Sequence, residues 1–403
     1  MAASRDSTMK QVGVNFLGPY KTPDSIGRVA SLCLKSLKTA DIPTDVYLLA
    51  RPGPCRQKVD YATIDDELLF SLRHKINIFY FNARRAPLYF SRISDGALKG
   101  FYNIGFWVHE MRKIPAQWAR QLEFFDEIWT PSSLCQVAIA RYANIPVVKI
   151  PYPIEKKDTT PRMVARRAGQ TMPTFTFLTI FDVNSDAERK NPLCTVRAFI
   201  DAFKGVPDIH LIIKVRNLNY DAFLTDKLQT VIRENPNIEL VEGDLDEEGL
   251  DTLYKQADVY VSLHRAEGFG LTISDAMSRG IPVIATGYSG NMDFCDISDT
   301  RLVAYDLRPV GHDRPRYRAD DVWAEPRLED AVRAFKELVH DYPVWLEKAA
   351  HARARAARDF SMNAVASLIK ERLGLISGNF NFPDDMTNRH IDVEVGIVET
   401  YGL

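Results

Sequence analysis

Short apolar runs, rich in β-branched and aromatic residues, alternate along this chain with segments whose apolar residues recur at helical spacing. The runs form two series, 11–150 and 175–286. Between the two series, the proline-rich segment 151–153 and the polar stretch 156–170 interrupt the alternation of strand-like and helix-like segments. Because alternating strands and helices are typical of parallel sheets, the pattern predicts an α/β protein with two doubly wound, Rossmann-like domains.

The interruption also sets the domain boundaries: residues 1–160 are expected to form the first domain and residues 161–359 the second. The expected strands are 11–18, 45–49, 77–81, 103–108, 125–130, 147–150, 175–181, 209–215, 238–241, 257–263 and 281–286. The expected helices begin near 25, 132 and 272 or cover 192–203, 247–255, 327–338, 344–358 and 361–373.

The composition is that of a globular protein, since 46% of the 403 residues are hydrophobic and 26% are charged. A formal net charge of −2 excludes a general attraction to nucleic acid or to an anionic membrane. Five scattered cysteines argue against a disulfide framework and favour a reducing cytoplasm. Because no run reaches the ~20 apolar residues that span a bilayer, membrane contact is expected to be peripheral at most.

The stretch 257–286 organises the rest of the chain. An apolar strand leads into a loop with glycines at 268 and 270, and a helix is expected to open near Thr272. The free N–H groups at such a helix start can hold a phosphate. Glu267 at the mouth of the loop and Asp275 inside the helix are suited to sugar hydroxyls. This combination suits a nucleotide sugar.

The segment from Glu267 to Asp275 resembles the signature of the retaining family 4 glycosyltransferases, two glutamates separated by seven residues. The flanking stretches 264–271 and 287–291 are similar to the bacterial polysaccharide branch of that family. One departure is that the second acid is an aspartate. The resemblance implies the GT-B fold, in which two Rossmann-like domains enclose a cleft.

In that fold, the N-terminal domain is the acceptor domain and the C-terminal domain binds the nucleotide sugar. The resemblance further implies that a helix within 360–375 crosses back onto the first domain. No role is predicted for the tail, 376–403. The acceptor would be selected by loops of the first domain, such as 21–27 and 51–61. The residues of these loops do not indicate which acceptor it is.

The resemblance implies that Glu267 contacts the donor sugar and that Asp275 holds the ribose. Backbone groups of the loop are expected on the sugar and diphosphate, and these belong to Gly268, Phe269, Gly270 and Leu271. Each assignment has a plainer alternative: a solvated acid for either carboxylate, and a tight turn for the loop. A dinucleotide-binding fingerprint is excluded, because isoleucine occupies the position of the third glycine, at 273.

Departure of a nucleoside diphosphate builds negative charge, so the site needs fixed cations or a metal. Arg189 and Lys190 lie between a strand and a helix, where similar family members hold the diphosphate with a basic pair. Lys190 matches the family lysine best, and Arg189 is expected to replace an arginine that is absent after the strand. Lys214 is a second-choice contact for phosphate or base. We expect neither a metal nor another cofactor, because GT-B enzymes generally act without a metal.

Three further residues match positions that the family uses. His109 ends an apolar strand and is expected at the donor sugar or the reacting centre, although a core histidine is the plainer interpretation. Gly27 lies in a loop implied to cover the diphosphate, although a plain helix start is the simpler interpretation. Asn291 is expected to offer its side chain or backbone to the sugar, with a turn asparagine as the plainer alternative. Together with Glu267 and Lys190, His109 completes the expected catalytic set.

These features predict a retaining hexosyltransferase that moves mannose or glucose from a nucleoside-diphosphate sugar to a glycan or lipid-linked acceptor in surface polysaccharide synthesis. The sequence does not choose between uridine and guanosine donors. The alternatives are a GT-B epimerase or phosphorylase, or a non-catalytic protein that binds glycan or nucleotide. Basic residues on the first helix, Arg28, Lys35 and Lys38, are interpreted as a solvated face, although a lipid-linked acceptor would favour docking at the inner membrane face.

Overall fold

A computed structural model describes residues 12–49 and 64–379 of the chain. The strands are β1 (Val14–Gly18), β2 (Thr44–Leu48), β3 (Ile76–Phe79), β4 (Tyr102–Phe106), β5 (Glu127–Thr130), β6 (Val147–Lys149), β7 (Phe175–Asp182), β8 (Ile209–Arg216), β9 (Ile238–Glu242), β10 (Val259–Ser262), β11 (Val283–Thr286), β12 (Arg301–Val303), β13 (Tyr305–Pro309) and β14 (Val322–Pro326).

The α-helices are joined by short 3₁₀ turns. They are α1 (Ser25–Thr39), α2 (Asp66–Ser71), α3 (Ala86–Tyr89), α4 (Ala116–Ala119), α5 (Ser133–Ala140), α6 (Pro161–Arg167), α7 (Ala187–Lys190), α8 (Pro192–Phe203), α9 (Ala222–Glu234), α10 (Glu247–Gln256), α11 (Leu271–Ser278), α12 (Leu328–His340), α13 (Tyr342–Asp359) and α14 (Met362–Asn379).

Two six-stranded parallel sheets form the framework, with strand orders β2-β1-β3-β4-β5-β6 and β12-β11-β10-β7-β8-β9. Helices cover both faces of these sheets, so the central strands are buried and apolar along their length. The strand order reverses between β1 and β3 in the first sheet and between β7 and β10 in the second. Open α/β sheets bind ligands at such reversals, and the prediction of two doubly wound domains is confirmed.

The segment between the sheets is not wholly irregular, because α6 lies inside the polar stretch 156–170. Thr160 caps this helix by accepting a hydrogen bond from the backbone N–H of Met163. Arg162 and Arg166 of α6 then reach Asp258, which is fully buried ahead of β10. Two arginines thus anchor this part of the segment to the second domain, which was expected to begin at residue 161.

Helix α14 returns to the first domain and packs along α1. Arg372 of α14 donates hydrogen bonds of 2.5 and 2.8 Å to Glu127, a fully buried carboxylate on β5. The helix runs to Asn379, four residues past the expected end of the crossing segment. The predicted loop 51–61 and the rest of the tail lie outside the described residues.

An antiparallel hairpin, β13 and β14, follows the second sheet and was not expected from the sequence. The loop between its strands folds towards the first domain, where the Tyr317 hydroxyl lies 3.2 Å from a carboxylate oxygen of Glu110. Trp323 and Tyr317 anchor a small apolar cluster beneath it. The hairpin thus closes one end of the cleft between the two sheets.

No helix in the described part of the chain is long and apolar enough to cross a membrane. Two basic residues of α1 make ion pairs within the protein, Arg28 with Asp275 and Lys35 with Glu155. The face that was considered for membrane docking is therefore partly neutralised by acids of the same chain. Peripheral contact with a membrane stays a prediction.

Candidate functional site

The central loop has the expected order of strand, glycine turn and helix. The strand β10 is buried because Val259, Tyr260 and Val261 pack on both of its faces. Gly270 adopts a φ of 104° immediately before α11, a conformation that favours glycine. The helix α11 begins at Leu271, and its first N–H groups point back towards the loop. The geometry of the helix start is as expected, and binding of an anion there stays a prediction.

Glu267 lies at the mouth of the loop against the basic residues that follow β7. The Lys190 ammonium donates to one of its carboxylate oxygens, and Arg189 Nη1 lies 3.4 Å from the other. Burial would raise the pKa of Glu267, but Lys190 and Arg189 outweigh that effect and lower the pKa to about 2. The carboxylate is therefore ionised and fixed between two cations. The sequence predicted these three residues, and the structure brings them together.

The two cations of this cluster differ in accessibility. The Arg189 side chain is 3% exposed, and it donates hydrogen bonds to the carbonyls of Ala266 at 2.5 Å and Ser185 at 2.7 Å. The Lys190 side chain is 17% exposed. Arg189 therefore mainly holds the loop and the carboxylate in place, and contact of Lys190 with a diphosphate stays a prediction.

Residues that the sequence analysis did not select hold this loop in position. The Glu267 N–H donates to the Ser289 hydroxyl at 2.7 Å, and the Gly290 N–H donates to the Glu267 carbonyl at 2.9 Å. Ser289 has a φ of 83°, a strained conformation for a residue with a side chain. The family-like stretch 287–291 contains these residues. The sequence did not show whether they would contact a ligand or support the loop.

The Asn291 side chain is fully buried, and its polar atoms are already bonded inside the protein. Its amide donates to the Thr286 carbonyl at 3.1 Å, and its oxygen lies 3.0 Å from Nε2 of His264. His264 is itself fully buried, so the two residues tie the loop 286–291 to β10. The structure therefore favours a positioning role for the Asn291 side chain, and contact with a sugar stays a prediction for its backbone.

The glycines of the site permit close packing. A Cβ on Gly268 would lie 2.4 Å from Cγ1 of Val108, in the other domain. A Cβ on Gly27 would lie 2.0 Å from the carbonyl oxygen of Thr22. The N–H of Gly27 donates a hydrogen bond to the side chain of Asp24, which caps α1. Both glycines therefore have a structural reason to be there. Their predicted contacts with a donor stay predictions.

The side chain of Phe269 points away from the cleft into an aromatic cluster. Its ring centroid lies 5.0 Å from that of Tyr152 and 4.9 Å from that of Phe294. Phe360, just before α14, completes the cluster at 6.4 Å. Only the backbone of Phe269 is therefore available to a ligand, as the resemblance implied.

Asp275 is joined to the first domain by Arg28. The guanidinium donates two hydrogen bonds, of 2.7 and 2.6 Å, to the two carboxylate oxygens. The predicted ribose contact thus already has a partner across the cleft. This pair was not foreseen, because 247 residues separate its members.

Lys214 lies on β8, next to the strand that precedes the basic pair. Its side chain is fully buried, and the ammonium donates to the carbonyls of Val215, at 3.1 Å, and Gly243. Burial also lowers its pKa. The structure thus places Lys214 in the frame of the sheet rather than beside Lys190, and its contact with phosphate or base stays a prediction.

His109 follows β4 and is 2% exposed. Its Nε2 lies 2.7 Å from the Lys113 carbonyl, and its ring lies 5.0 Å from that of Trp118. Burial lowers its pKa, so the neutral imidazole is favoured. The residue nevertheless lines a cavity of about 270 Å³ in the cleft. The structure therefore gives His109 both the packing of a core histidine and a place beside the cleft.

Glu110 and Arg314 extend the charged site beyond the predicted residues. Glu110 lies 3.7 Å from Arg189 Nη2, which places its carboxylate near the central cluster. Arg314, from the hairpin loop, pairs with Asp186 at 2.8 Å and with Glu188. The loop that carries Lys190 is therefore clamped by the hairpin. Within the described residues, no group of three metal-ligating side chains is present.

The sequence and the fold were compared with known proteins. The family described as "Family 4 Glycosyltransferase in conflict systems" matches residues 138–369, more than half of the chain. A 94-residue stretch is 30% identical to the UDP-N-acetylglucosamine–peptide N-acetylglucosaminyltransferase GtfA subunit of Streptococcus parasanguinis. That stretch covers 23% of this chain and only 16% of the relative.

Solved structures share the fold over almost the whole chain. HepE of Anabaena, crystallised with UDP and glucose, matches with a TM-score of 0.66 at 14% identity and covers 90% of this chain and 100% of its own. Sucrose-phosphate synthase of Thermosynechococcus elongatus matches with a TM-score of 0.64 at 13% identity, covering 91% and 100%. At these identities the likeness shows the fold alone, and the predicted GT-B architecture is confirmed. With the family match, it follows that the chain belongs to the family 4 glycosyltransferases.

Proposed function

We propose that this protein is a retaining glycosyltransferase that transfers a hexose from a uridine-diphosphate sugar to a glycan or lipid-linked acceptor. The observation that carries the proposal is the pairing of Lys190 with an ionised Glu267 beside the start of α11. A carboxylate held in this way suits sugar hydroxyls, while the ammonium and the free N–H groups of the helix suit a diphosphate. The same few residues can therefore bind both halves of the donor.

The proposed chemistry is a same-face transfer, as the resemblance to retaining glycosyltransferases implies. The acceptor hydroxyl oxygen attacks the anomeric carbon on the face from which the diphosphate departs, and the bond from that carbon to the β-phosphate oxygen breaks. The hydroxyl proton passes to the departing phosphate oxygen, so no protein nucleophile is required. Lys190 and the start of α11 stabilise the charge that develops on the diphosphate. The reaction needs no metal in this scheme.

Uridine is proposed as the nucleoside because proteins with the same fold have been crystallised with it. HepE was solved with UDP-glucose, and a pneumococcal O-GlcNAc transferase, GtfA, with UDP and GlcNAc. The acceptor and a role in surface polysaccharide synthesis are carried over as proposals from the resemblance in the sequence. A cytoplasmic site of action is part of the same proposal.

Calorimetric titration of the full chain with UDP, UDP-glucose, UDP-N-acetylglucosamine, GDP-mannose and NAD tests the proposal. We expect a UDP-sugar to bind and the variants Lys190→Met and Glu267→Gln to weaken its binding. Lys204→Met, an exposed lysine at the end of α8, is the matched control and should bind normally. Binding of NAD alone, or of none of these compounds by the folded protein, would contradict the proposal.

Product analysis separates the remaining alternatives. A transferase yields UDP and a new glycoside whose anomeric configuration matches the donor, which NMR coupling constants report. An epimerase would convert the donor without an acceptor, and a phosphorylase would require free phosphate. A protein that binds the donor but neither transfers nor hydrolyses its sugar across a broad acceptor panel would be a binding protein instead.

A further inference from the structure

The cavity of about 270 Å³ lies where the first domain faces the hairpin loop. One side is formed by the turn after β3, which carries Arg84, and the opposite side by the hairpin loop, which carries Arg316 and Arg318. His109 and Glu110 form its base, next to the Arg189–Glu267 cluster. The cavity therefore opens beside the expected position of the reacting sugar, on the side of the acceptor domain.

The charges that line this cavity are unbalanced. Its lining contains five arginines and a single acid, Glu110. Arg85 and Arg314 interact with other residues, so the imbalance is argued from the remaining three. In the described part of the chain, no carboxylate pairs with Arg84, Arg316 or Arg318, and Arg316 donates only to the Asn184 carbonyl at 2.8 Å. Glu110 is already turned towards Arg189.

The arginines on the two sides are close enough to repel each other. Burial lowers the pKa of Arg84, and the charges of Arg316 and Arg85 lower it further. Like charges held on opposite sides of a cavity cost free energy unless an anion lies between them. Because guanidinium groups bind phosphate and carboxylate through paired hydrogen bonds, they suit an oxyanion in particular.

Aromatic rings line the same cavity. The Trp118 ring packs at a tilt against His109, with the centroids 5.0 Å apart, and the Tyr317 centroid lies 6.3 Å from the histidine ring. Tyr89 and Phe81 pack against each other at 4.5 Å. Flat rings with a few convergent polar groups are typical of pockets for small molecules, which measure ~300–1,000 Å³. The space is too small for a folded partner, so it fits the terminal unit of an acceptor.

We infer that the acceptor is an anionic saccharide, whose phosphate or carboxylate group lies between Arg84 and Arg316 while its sugar ring packs on the aromatic side of the cavity. This inference rests on the proposed function and names its acceptor class. The two arginines belong to different domains, so such an acceptor also bridges the cleft. A neutral saccharide would leave the arginines unsatisfied.

Direct binding of three matched probes, measured by calorimetry without donor, tests the inference. The probes are octyl glucoside, octyl glucuronide and octyl glucoside 6-phosphate, which differ in the presence and type of the oxyanion. We expect at least one anionic probe to bind ~10-fold more tightly than the neutral one, the scale of a hydrogen bond to a charged group. The stronger of the two anionic probes identifies the oxyanion. Added salt should reduce the difference in affinity between the anionic probes and the neutral one.

Arg84→Gln and Arg316→Gln should each remove most of this preference without changing the binding of octyl glucoside. Both residues are exposed, so the variants are expected to fold, which thermal unfolding checks. Arg141→Gln, an exposed arginine at the end of α5, is the matched control. Equal binding of the three probes, binding of none of them, or a preference that survives both variants would overturn the inference.

Titration of the same samples with UDP separates this inference from the proposed function. If UDP binds normally but the anionic probes have no advantage, only the acceptor class is wrong. If the anionic probes bind through Arg84 and Arg316 but no nucleotide sugar binds or turns over, the proposed reaction is wrong and the cavity is still a site for an anionic saccharide.

Discussion

The two sides of the cleft hold their charges in opposite ways. On the donor wall, formed by Arg189, Lys190 and Glu267, acid and base are paired and largely buried. On the cavity wall, formed by Arg84, Arg316 and Arg318, the cations are exposed and outnumber the single acid that lines the cavity, Glu110. Paired charges hold each other in position before a ligand binds, whereas unpaired charges are available to bind an ion of opposite charge. The comparison indicates that the donor wall is preorganised for the transfer reaction and that the cavity wall selects the acceptor.

The largest effect is expected from breaking the pairing on the donor wall. Lys190→Met removes the accessible cation and leaves Glu267 with Arg189 alone, so the developing charge on the diphosphate loses its nearest support. We expect kcat to fall by at least ~10²-fold, the scale for one preorganised electrostatic contact. Steady-state release of UDP, measured at saturating donor, reports this loss.

Glu267→Gln and the double variant complete the cycle for this pair. Because both residues act as one unit, the double variant should lose little more activity than either single variant. Fully additive losses would mean that the two residues act separately, and near-normal turnover of Lys190→Met would remove it from the mechanism.

A smaller effect is expected where the two domains touch. Gly268→Ala would push a methyl group against Val108 and hold the domains apart. Overpacking of this kind costs ~1–3 kcal/mol, so we expect kcat/KM to fall by about tenfold. Adding Val108→Ala should restore activity, because it removes the obstructing methyl group. Failure of this rescue would show that Gly268 is needed for its backbone conformation or for ligand approach instead.

The pair between Arg28 and Asp275 should have a still smaller effect. The Arg28 side chain is 41% exposed, so Arg28→Ala should change the free energy of unfolding by less than ~1 kcal/mol. If Asp275 holds the ribose, loss of the competing guanidinium should tighten UDP binding by up to ~5-fold. Calorimetry measures this directly. Weaker UDP binding would instead place Arg28 itself on the nucleotide.

The smallest expected effect concerns pH. The folded-state pKa of Glu267 is about 2, below the ordinary value of 4.5, so its contribution to stability is present above pH 4.5 and is lost as the pH falls towards 2. Between pH 6 and 8 its charge does not change. The NMR signal of the Glu267 carboxylate should therefore be constant across that range. The pKa of the Glu267 carboxyl itself is followed by NMR, and a titration of this carboxyl near neutral pH would contradict the charge pairing.

The framework of the fold could be predicted because its strands are nearly continuous apolar runs. The helix α8 lies where the sequence placed it, since Pro192 begins it and its apolar residues recur at helical spacing. The hairpin was missed because β13 is mostly exposed and mixes polar, charged and apolar residues without regular alternation. Its position depends on distant partners, such as Arg265, which donates to Glu325 at 2.7 Å.

The site was predictable to the extent that its residues are close in sequence. The loop 267–271 lies where the glycines indicated, and Lys190 was found through its place after a strand. Pairs across the cleft, such as Arg28 with Asp275 and Arg189 with Glu110, depend on how two domains face each other, which local pattern does not encode. Because the side chains of Asn291 and Lys214 are buried, they are assigned to positioning rather than to ligand contact. The burial of a single residue cannot be predicted from the sequence pattern.

The return of α14 to the first domain has a consequence for synthesis. Glu127 is fully buried, and its cationic partner, Arg372, lies 245 residues later in the chain. At ~5–20 residues per second, a ribosome adds that partner about 12 to 50 s after Glu127. Until then, the carboxylate has only the neutral donors Tyr102 and Trp129. The domain that is translated first is therefore the one whose core is completed last.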